Sequence, residues 1–473
     1  MRYNVPMLFN SWTFAVFYVV VYALYTRLRH EGQNRLLLAA SYVFYGSWDW
    51  RFLGFILLST VVDYAAGIAI RDNTSVRLRR LWLWGSIGVN LGILGYFKYC
   101  GFFVESMASL LETLGIPHSL PSLRLLLPAG ISFYTFQSLS YTIDVYRGEM
   151  EPERRFPRFA LFVSYFPHLV AGPIVRARVL LTQIGRERTV TPEGVLLGCR
   201  LFLWGLLKKV VIADRLALYV EAVYGNPADH TGLSHLAATV CFGFQIYCDF
   251  SAYSDMARGV SKTMGFELPL NFNAPYLASD IVDFWRRWHI SLSTWLRDYV
   301  YIPLGGNRHG GRRTAINLML TMLLGGLWHG AAWTYVIWGG LHGLYLVVAK
   351  QYMRLVPRRP GTLLRGVYGL TTFAAVMVAW VFFRAESLQG ALTALARMAR
   401  PGTVLWDGER TLLYGALGVG VLLACERWAL DPSEGDVLTS RRPAVRWAAA
   451  YAIALAVMLF GVHQGQQFIY FQF

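Results

Sequence analysis

The sequence predicts an all-α polytopic membrane protein, and three observations support this fold class: the composition, the long apolar runs and the placement of basic residues. Of 473 residues, 55% are hydrophobic and only 15% are charged, whereas soluble domains carry about a quarter charged residues. Apolar runs such as FAVFYVVVYALY at 14–25 and FLGFILLSTVV at 52–62 have the composition of membrane-spanning helices. Basic loops separate these runs, and assigning the loops to the cytoplasm gives a consistent zigzag across the bilayer.

The apolar runs predict about eleven or twelve transmembrane helices in a single membrane domain that covers residues 1–473. Several runs are shorter than the ~20 residues that a perpendicular crossing needs, which favours tilted or broken helices around a central tunnel. With twelve crossings, both termini lie outside the cytoplasm. The predicted spans are 7–26, 36–50, 52–70, 82–98, 125–146, 209–224, 234–252, 314–334, 335–350, 364–384, 411–426 and 445–462.

Two further segments are predicted not to cross the membrane. The stretch FALFVSYFPHLVAGPIV at 159–175 has basic flanks on both sides, so we expect it to be re-entrant or interfacial. Within the predicted cytoplasmic-face region 271–313, apolar residues recur every three or four positions from Asp283 to Tyr301. This spacing predicts one amphipathic helix on the inner membrane face and leaves open whether the helix also lines a reaction chamber. Its apolar stripe consists of Phe284, Trp288, Leu292, Trp295 and Tyr299.

Charge and cysteine usage argue against several other classes of protein. The formal net charge of +16 raises the question of nucleic acid binding. The basic residues lie instead in loops between apolar runs, including 176–209 and 258–313, as the positive-inside rule predicts, so we expect no nucleic acid partner. The five cysteines form no CxxC pair and the histidines form no HExxH pattern, so no metal site is expected. The sequence also contains no P-loop and no GxSxG elbow.

Two histidines are the main candidates for chemistry. His329 lies in LLGGLWHGAAW at 323–333, an apolar run in which an ionisable side chain is costly and usually faces a cavity. The neighbouring glycines leave room for a close helix or for a ligand, and a hydrogen-bonded packing role for His329 is an equal alternative. His289 lies on the predicted amphipathic helix, where an interfacial role without chemistry is equally open. His342 and His168 are weaker candidates of the same kind.

Long motifs resemble a known family. The run FWRRWHISLSTWLRDYVYIPLGGNRHG at 284–310, followed by GGLWHG at 325–330, resembles the signature of the membrane-bound O-acyltransferase superfamily. The stretches that narrow the resemblance to the alginate O-acetylation branch are YVFYGSWDWRFL, LPAGISFYTFQSLSYTIDVYRG, FPHLVAGPIVR, DFSAYSDMARGVSKTMGFELPLNFNAPY and FIYFQF. The likeness covers essentially the whole chain. One local difference is His168, where the branch leads us to expect glutamine.

The resemblance implies that His329 is the essential catalytic histidine and that His289 is the second active-site position, which is Asn or Asp in related families. It also implies a thioester donor, acetyl-CoA, which enters from the cytoplasm, and passage of the acyl group through a tunnel. Histidine suits the role of general base, so we assign that role to His329, with His289 positioning the donor or stabilising charge. Arg297, Arg308 and the loop LGGNRHGG could bind coenzyme A phosphates. Alternatively, this basic loop only orients the protein. No cofactor is expected to be bound.

The C-terminal sequence QFIYFQF at 467–473 carries one hydroxyl, on Tyr470. From its residues alone, the tail is expected to be an extracytoplasmic aromatic anchor at the lipid interface. The resemblance favours a second role, in which Tyr470 receives the acyl group and passes it on. A phenol with a reference pKa of about 10 would need a base such as His329 to become a nucleophile. The resemblance implies the remaining partners: an SGNH-type periplasmic or extracellular O-acetyltransferase and an exported polysaccharide such as alginate, at the bacterial inner membrane.

Two other functions remain open at the level of sequence. The first is transfer of D-alanine or another acyl group to a cell-wall polymer, a lipid or a protein. The second is a transporter without chemistry, in which Asp63, Gln245, Asp249 and Asp255 would line a path. Transporters often contain internal repeats, and none is evident in this sequence. The sequence does not identify the polysaccharide.

Overall fold

A computed structural model describes residues 7–121, 123, 125–355, 361–404, 410–428, 443–462 and 468–469. Within these ranges the chain is helical and forms no β-strand, which confirms the predicted all-α class. The α-helices, in chain order, are α1 (Trp12–Tyr25), α2 (His30–Gly46), α3 (Leu53–Asp72), α4 (Val76–Leu94), α5 (Cys100–Thr113), α6 (Ile131–Arg147), α7 (Phe156–Ser164), α8 (Ala177–Gly185), α9 (Pro192–Leu207), α10 (Asp214–Tyr224), α11 (Gly232–Thr263), α12 (Ile281–Arg287), α13 (Ile290–Leu296), α14 (Gly310–His329), α15 (Trp333–Leu355), α16 (Thr362–Arg384), α17 (Leu388–Met398), α18 (Thr411–Trp428) and α19 (Pro443–Phe460).

Four helical segments of the described chain are long and apolar enough to cross a membrane. They are Trp50–Asp72, Val76–Thr113, Thr362–Arg384 and Pro443–Phe460. The second is longer than the predicted span 82–98, because a π-helical turn at Gly95–Tyr99 joins α4 to α5 without a loop. The chain is thus a multi-pass membrane protein. The other predicted spans hold helices that are shorter or more polar, so the total of eleven or twelve stays a prediction.

The described contacts divide the chain into two compact units. The first contains residues 1–198 and 260–268, and the second contains 199–259 and 269–473. Helix α11 begins in the second unit and ends in the first.

In the first unit, polar side chains meet between α3, α4 and α6. The buried Asp63 carboxylate accepts hydrogen bonds from Ser86 Oγ at 2.5 Å and from Asn90 Nδ2 at 3.0 Å. Such a saturated carboxylate stabilises helix packing and does not need a passing ion to satisfy it. The segment 159–175 forms no continuous helix, because α7 has only nine residues and the backbone beyond it is buried and irregular, and its re-entrant or interfacial placement stays a prediction. There His168 Nε2 lies 2.8 Å from Gln137 Oε1.

The second unit corrects the prediction of one amphipathic helix over 283–301. Helix α12 ends at Arg287, His289 has a left-handed backbone with φ of 41°, and α13 begins at Ile290. Four of the five residues of the predicted stripe are buried, namely Phe284, Trp288, Leu292 and Trp295, and Tyr299 is half-buried. Phe284 packs against Trp288, which packs in turn against Trp380. The period of three to four residues therefore marked a protein core and not a membrane face.

The assignment of Lys209 to a basic cytoplasmic loop is also wrong. Lys208 and Lys209 begin a π-helical turn, Lys208–Ala213, and both ammonium groups are buried. Lys208 Nζ lies 2.6 Å from Asp255 Oδ2, and Lys209 Nζ lies 2.6 Å from Asp249 Oδ1. Burying an unpaired charge is very costly, so each of these buried lysines is stabilised by the aspartate with which it pairs. Because their carboxylates bind these lysines, Asp249 and Asp255 do not line the path that the transporter hypothesis predicts.

Candidate active site

His329 is the last residue of α14, and Gly330 ends the helix. Helix α15 folds back against α14 at a close crossing, where a Cβ atom on Gly326 would lie 2.3 Å from the Tyr335 carbonyl oxygen. A Cβ atom on Gly330 would lie 2.1 Å from the Tyr335 ring. The glycines that precede and follow His329 are thus required by packing, and they fix the position of the histidine relative to α15.

The His329 side chain is enclosed by aromatic rings and retains 4% exposure. Its ring centroid lies 4.9 Å from that of Trp328, 5.0 Å from that of Trp338 and 5.3 Å from that of Phe383. Trp338 also contacts His342, at 4.7 Å between centroids. The aromatic walls limit the access of water, which strengthens any electrostatic interaction made inside.

His289 is held by Asn271. Its Nδ1 atom lies 3.2 Å from Asn271 Oδ1, which also accepts hydrogen bonds from Ser291 N at 3.1 Å and Ser291 Oγ at 2.9 Å. A backbone N–H can only donate, so this atom of Asn271 is the oxygen and His289 Nδ1 must be the donor. The lone pair of the neutral ring then lies on Nε2.

Further contacts make this network rigid. Asn271 Nδ2 donates to Ser254 Oγ at 3.2 Å, and Ile290 N donates to the Asn271 carbonyl at 2.8 Å. Phe250 packs edge-on against the His289 ring at 4.6 Å between centroids. His289 is fully buried, and burial lowers its pKa to about 3, so the ring is neutral at working pH.

The structure brings the two predicted histidines together. The ring centroids of His289 and His329 are 6.4 Å apart, and the Trp328 ring contacts both. They come from different elements, the α12–α13 break and the end of α14. This separation allows both rings to contact one small substrate.

The two predicted phosphate ligands are exposed. Arg297 begins a π-helical turn and its Nε donates to Asp298 Oδ1 at 2.7 Å. Arg308 lies in the glycine-rich loop, where Gly305 and Gly306 have positive φ angles. Among the described residues, neither arginine contacts His289 or His329 in the structure. Both are accessible to a soluble anion.

Tyr470 lies outside the described residues, but the two residues before it, Phe468 and Ile469, are described and both are buried. Ile469 N donates to Asp249 Oδ2 at 2.6 Å. The Phe468 ring packs edge-on against Tyr253 at 5.1 Å and lies 4.3 Å from Lys209 Nζ. This part of the tail is therefore bound within the second unit and is not exposed at a surface.

Several residues of the site were not identified from the sequence. Asn271 and Ser291 fix the His289 ring, and Trp338 covers His329. Their types and spacing match no catalytic motif, because their partners are distant in sequence. One signal in the sequence indicated a different buried cluster of this unit. The pair Lys208–Lys209 lies inside the apolar run LFLWGLLKKVVIAD, and two charges in such a run need buried partners.

Known proteins resemble this chain over most of its length. The membrane-bound O-acyltransferase family matches residues 153–388, which include both histidines. The probable alginate O-acetylase AlgI of Azotobacter vinelandii is 45% identical over 395 residues, which are 83% of this chain and 78% of the relative. The peptidoglycan O-acetyltransferase of Helicobacter pylori is 37% identical over 76% of this chain and 73% of the relative. The teichoic acid D-alanyltransferase of Bacillus subtilis is 30% identical over 49% of this chain and 59% of the relative.

Proposed function

The chain belongs to the membrane-bound O-acyltransferase family, and from this premise we propose that it takes acetyl from a cytoplasmic thioester and passes it across the membrane for O-acetylation of an exported polysaccharide. The donor in this proposal is acetyl-CoA. The observation that carries this proposal is that His289 and His329 are both buried, with ring centroids 6.4 Å apart. A hydrogen-bond network around Asn271 also fixes the tautomer of His289. The names of the alginate and peptidoglycan O-acetyltransferase relatives favour acetyl as the transferred group and a polysaccharide as the final acceptor.

We assign His329 as the general base and His289 as the group that positions the donor or stabilises charge. The acceptor hydroxyl loses its proton to His329 as its oxygen attacks the thioester carbonyl carbon. A new C–O bond forms, the C–S bond breaks, and His329 returns the proton to the departing thiolate. His289, neutral and oriented by Asn271, would contact the donor near the same carbon.

The first acceptor in this proposal is Tyr470. A phenolic ester is itself reactive, so the acetyl group keeps much of its transfer potential for a second step. The proposal is supported by the burial of Phe468 and Ile469, which immediately precede Tyr470. An aromatic anchor lying in lipid would not need the hydrogen bond from Ile469 to Asp249.

The remaining parts of the proposal concern partners. Arg297 and Arg308 would bind the phosphates of acetyl-CoA, since both guanidinium groups are exposed and arginine matches phosphate geometry. The final acceptor would be an SGNH-type extracytoplasmic transferase that acts on the polysaccharide, with the chain in the bacterial inner membrane. D-alanyl transfer is the second candidate function, because the relatives include teichoic acid D-alanyltransferases.

Two measurements test this function. Purified protein in nanodiscs would be incubated with acetyl-CoA, a long-chain acyl-CoA or D-alanyl carrier protein, and free thiol release would be followed. We expect release from acetyl-CoA alone and an added acetyl mass on the C-terminal peptide. Tyr470→Phe should lose that mass and the product acetylation. Unchanged acetylation in Tyr470→Phe would refute the carrier role, and release from the other donors only would refute acetyl transfer.

A further inference from the structure

The C-terminal tail is held through its backbone. Ile469 N donates to Asp249 Oδ2 at 2.6 Å in a buried environment, and Phe468 before it retains 1% exposure. Phe468 lies between the Tyr253 ring and the Lys209 ammonium group. An aromatic side chain and a backbone amide that are both buried and both contacted by other elements occupy a specific binding site.

The carboxylate that binds the tail is itself fixed. Lys209 Nζ lies 2.6 Å from Asp249 Oδ1 and 2.8 Å from Asp214 Oδ1. One oxygen of Asp249 therefore binds the lysine while the other binds the tail. A buried carboxylate that is hydrogen-bonded to a lysine through one oxygen is held in one orientation, so its second oxygen presents a preorganised acceptor.

The tail site and the histidine network share two turns of α11. Asp249 and Tyr253 are four residues apart and contact the tail, whereas Phe250 and Ser254 are four residues apart and contact His289 and Asn271. Residues four apart lie on one helix face, and a shift of one residue rotates that face by about 100°. The tail and the His289 network thus occupy adjacent faces of the same helical segment.

From this arrangement we propose that Asp249, held by Lys209, is a positioning residue that docks the tail and so places residue 470 for acyl transfer; this inference rests on the proposed carrier function. Asp249 accepts a hydrogen bond from the backbone N–H of Ile469, and Tyr470 is the next residue in the chain. The docked N–H therefore belongs to the residue directly before the side chain that is proposed to react. Phe468 gives the dock its register, because its ring fits between a cation and an edge-on tyrosine.

The matched pair Asp249→Asn and Asp255→Asn tests the proposal. Both aspartates lie on α11 and pair with a buried lysine, Lys209 for Asp249 and Lys208 for Asp255, but in the described structure only Asp249 accepts a hydrogen bond from the tail. We expect Asp249→Asn to speed hydrogen exchange of the C-terminal peptide by about tenfold or more, as loss of a charged hydrogen bond predicts. Its kcat for acetyl transfer should fall while its KM for acetyl-CoA is unchanged. Asp255→Asn should retain slow exchange and transfer.

A second pair leaves the buried ions intact in case Asp249→Asn fails to fold. Ile469→Pro removes the donated N–H, whereas Ile469→Val keeps it. We expect Ile469→Pro to lose transfer with unchanged acetyl-CoA binding, and Ile469→Val to transfer normally. Wild-type transfer in Ile469→Pro, or equal exchange in Asp249→Asn and wild type, would overturn the docking role. Hydrogen exchange is measured without acetyl transfer, so it tests the docking role of Asp249 by itself. Full activity of Tyr470→Phe would refute a different claim, the carrier role of Tyr470.

Discussion

The Nδ1 atom of His289 donates to Asn271 Oδ1, and the two residues are joined again where Ile290 N donates to the Asn271 carbonyl. Asn271 thus sets the tautomer of the ring through its side chain and the path of the chain beside the ring through its backbone carbonyl. An oriented ring acts on a substrate without having to be reordered during the reaction, and that is the main source of electrostatic stabilisation in enzymes. The relationship predicts that Asn271 affects rate more than donor affinity.

We expect Asn271→Ala to lower kcat about 10- to 100-fold, the usual effect of losing a residue that orients an active-site histidine. KM for acetyl-CoA should change little, because Asn271 lies behind the ring. Asn273→Ala, two residues further along the same loop, is the control and should retain activity. A twofold or smaller loss in Asn271→Ala, measured by steady-state thiol release, would show that His289 does not depend on this hydrogen bond.

His329→Ala should lower acetyl transfer by about 100-fold or more, because it removes the proposed general base. The protein should still insert in the membrane, and its melting temperature should be compared with that of wild type because removal of a buried ring leaves a cavity. His235→Ala is the matched control, because His235 is also fully buried in the second unit and its ring contacts the Pro227 carbonyl and the Tyr224 ring. Full transfer by His329→Ala would contradict the assignment.

Adjacent glycines on α15 should differ sharply in tolerance. A Cβ atom on Gly339 would lie 2.4 Å from the Met322 carbonyl oxygen, whereas one on Gly340 meets nothing nearer than a Leu323 side-chain atom at 3.7 Å. Gly339→Ala should therefore destabilise the hairpin by about 1–3 kcal/mol, the usual cost of overpacking. Gly340→Ala should melt like wild type. Equal melting temperatures in detergent would show that the two helices can separate without cost.

The buried His289 ring should make stability depend on pH. Burial lowers its pKa to about 3 in the folded protein, against about 6.5 in an unfolded chain. Between these values the unfolded state binds more protons, so this contribution to stability is fully present above pH ~6.5 and is lost as the pH falls towards 3. His289→Gln should melt with a shallower dependence on pH between 7 and 5 than wild type. Identical slopes would show that His289 does not titrate on unfolding.

The sequence predicted the class of fold and the pair of histidines, and the structure shows why it could not predict more. Hydrophobic periodicity over 283–301 identified buried positions, but it could not show the break at His289, where His289 and Ile290 donate hydrogen bonds to Asn271, eighteen positions earlier. Lys209 looked like part of a basic loop because its partners, Asp214 and Asp249, are recognisable only in three dimensions. The roles of His289, His329, Tyr470, Arg297 and Arg308 remain predictions.

The positive φ of His289 restricts which amino acids can occupy position 289, the proposed second active-site position. Most side chains are strained in the left-handed region, and His, Asn and Asp are among the few residues other than glycine that are enriched there. The resemblance of the sequence to the membrane-bound O-acyltransferase superfamily implies His, Asn or Asp at this position. The backbone turn is compatible with all three residues, and it disfavours β-branched and bulky side chains, which are outliers in the left-handed region.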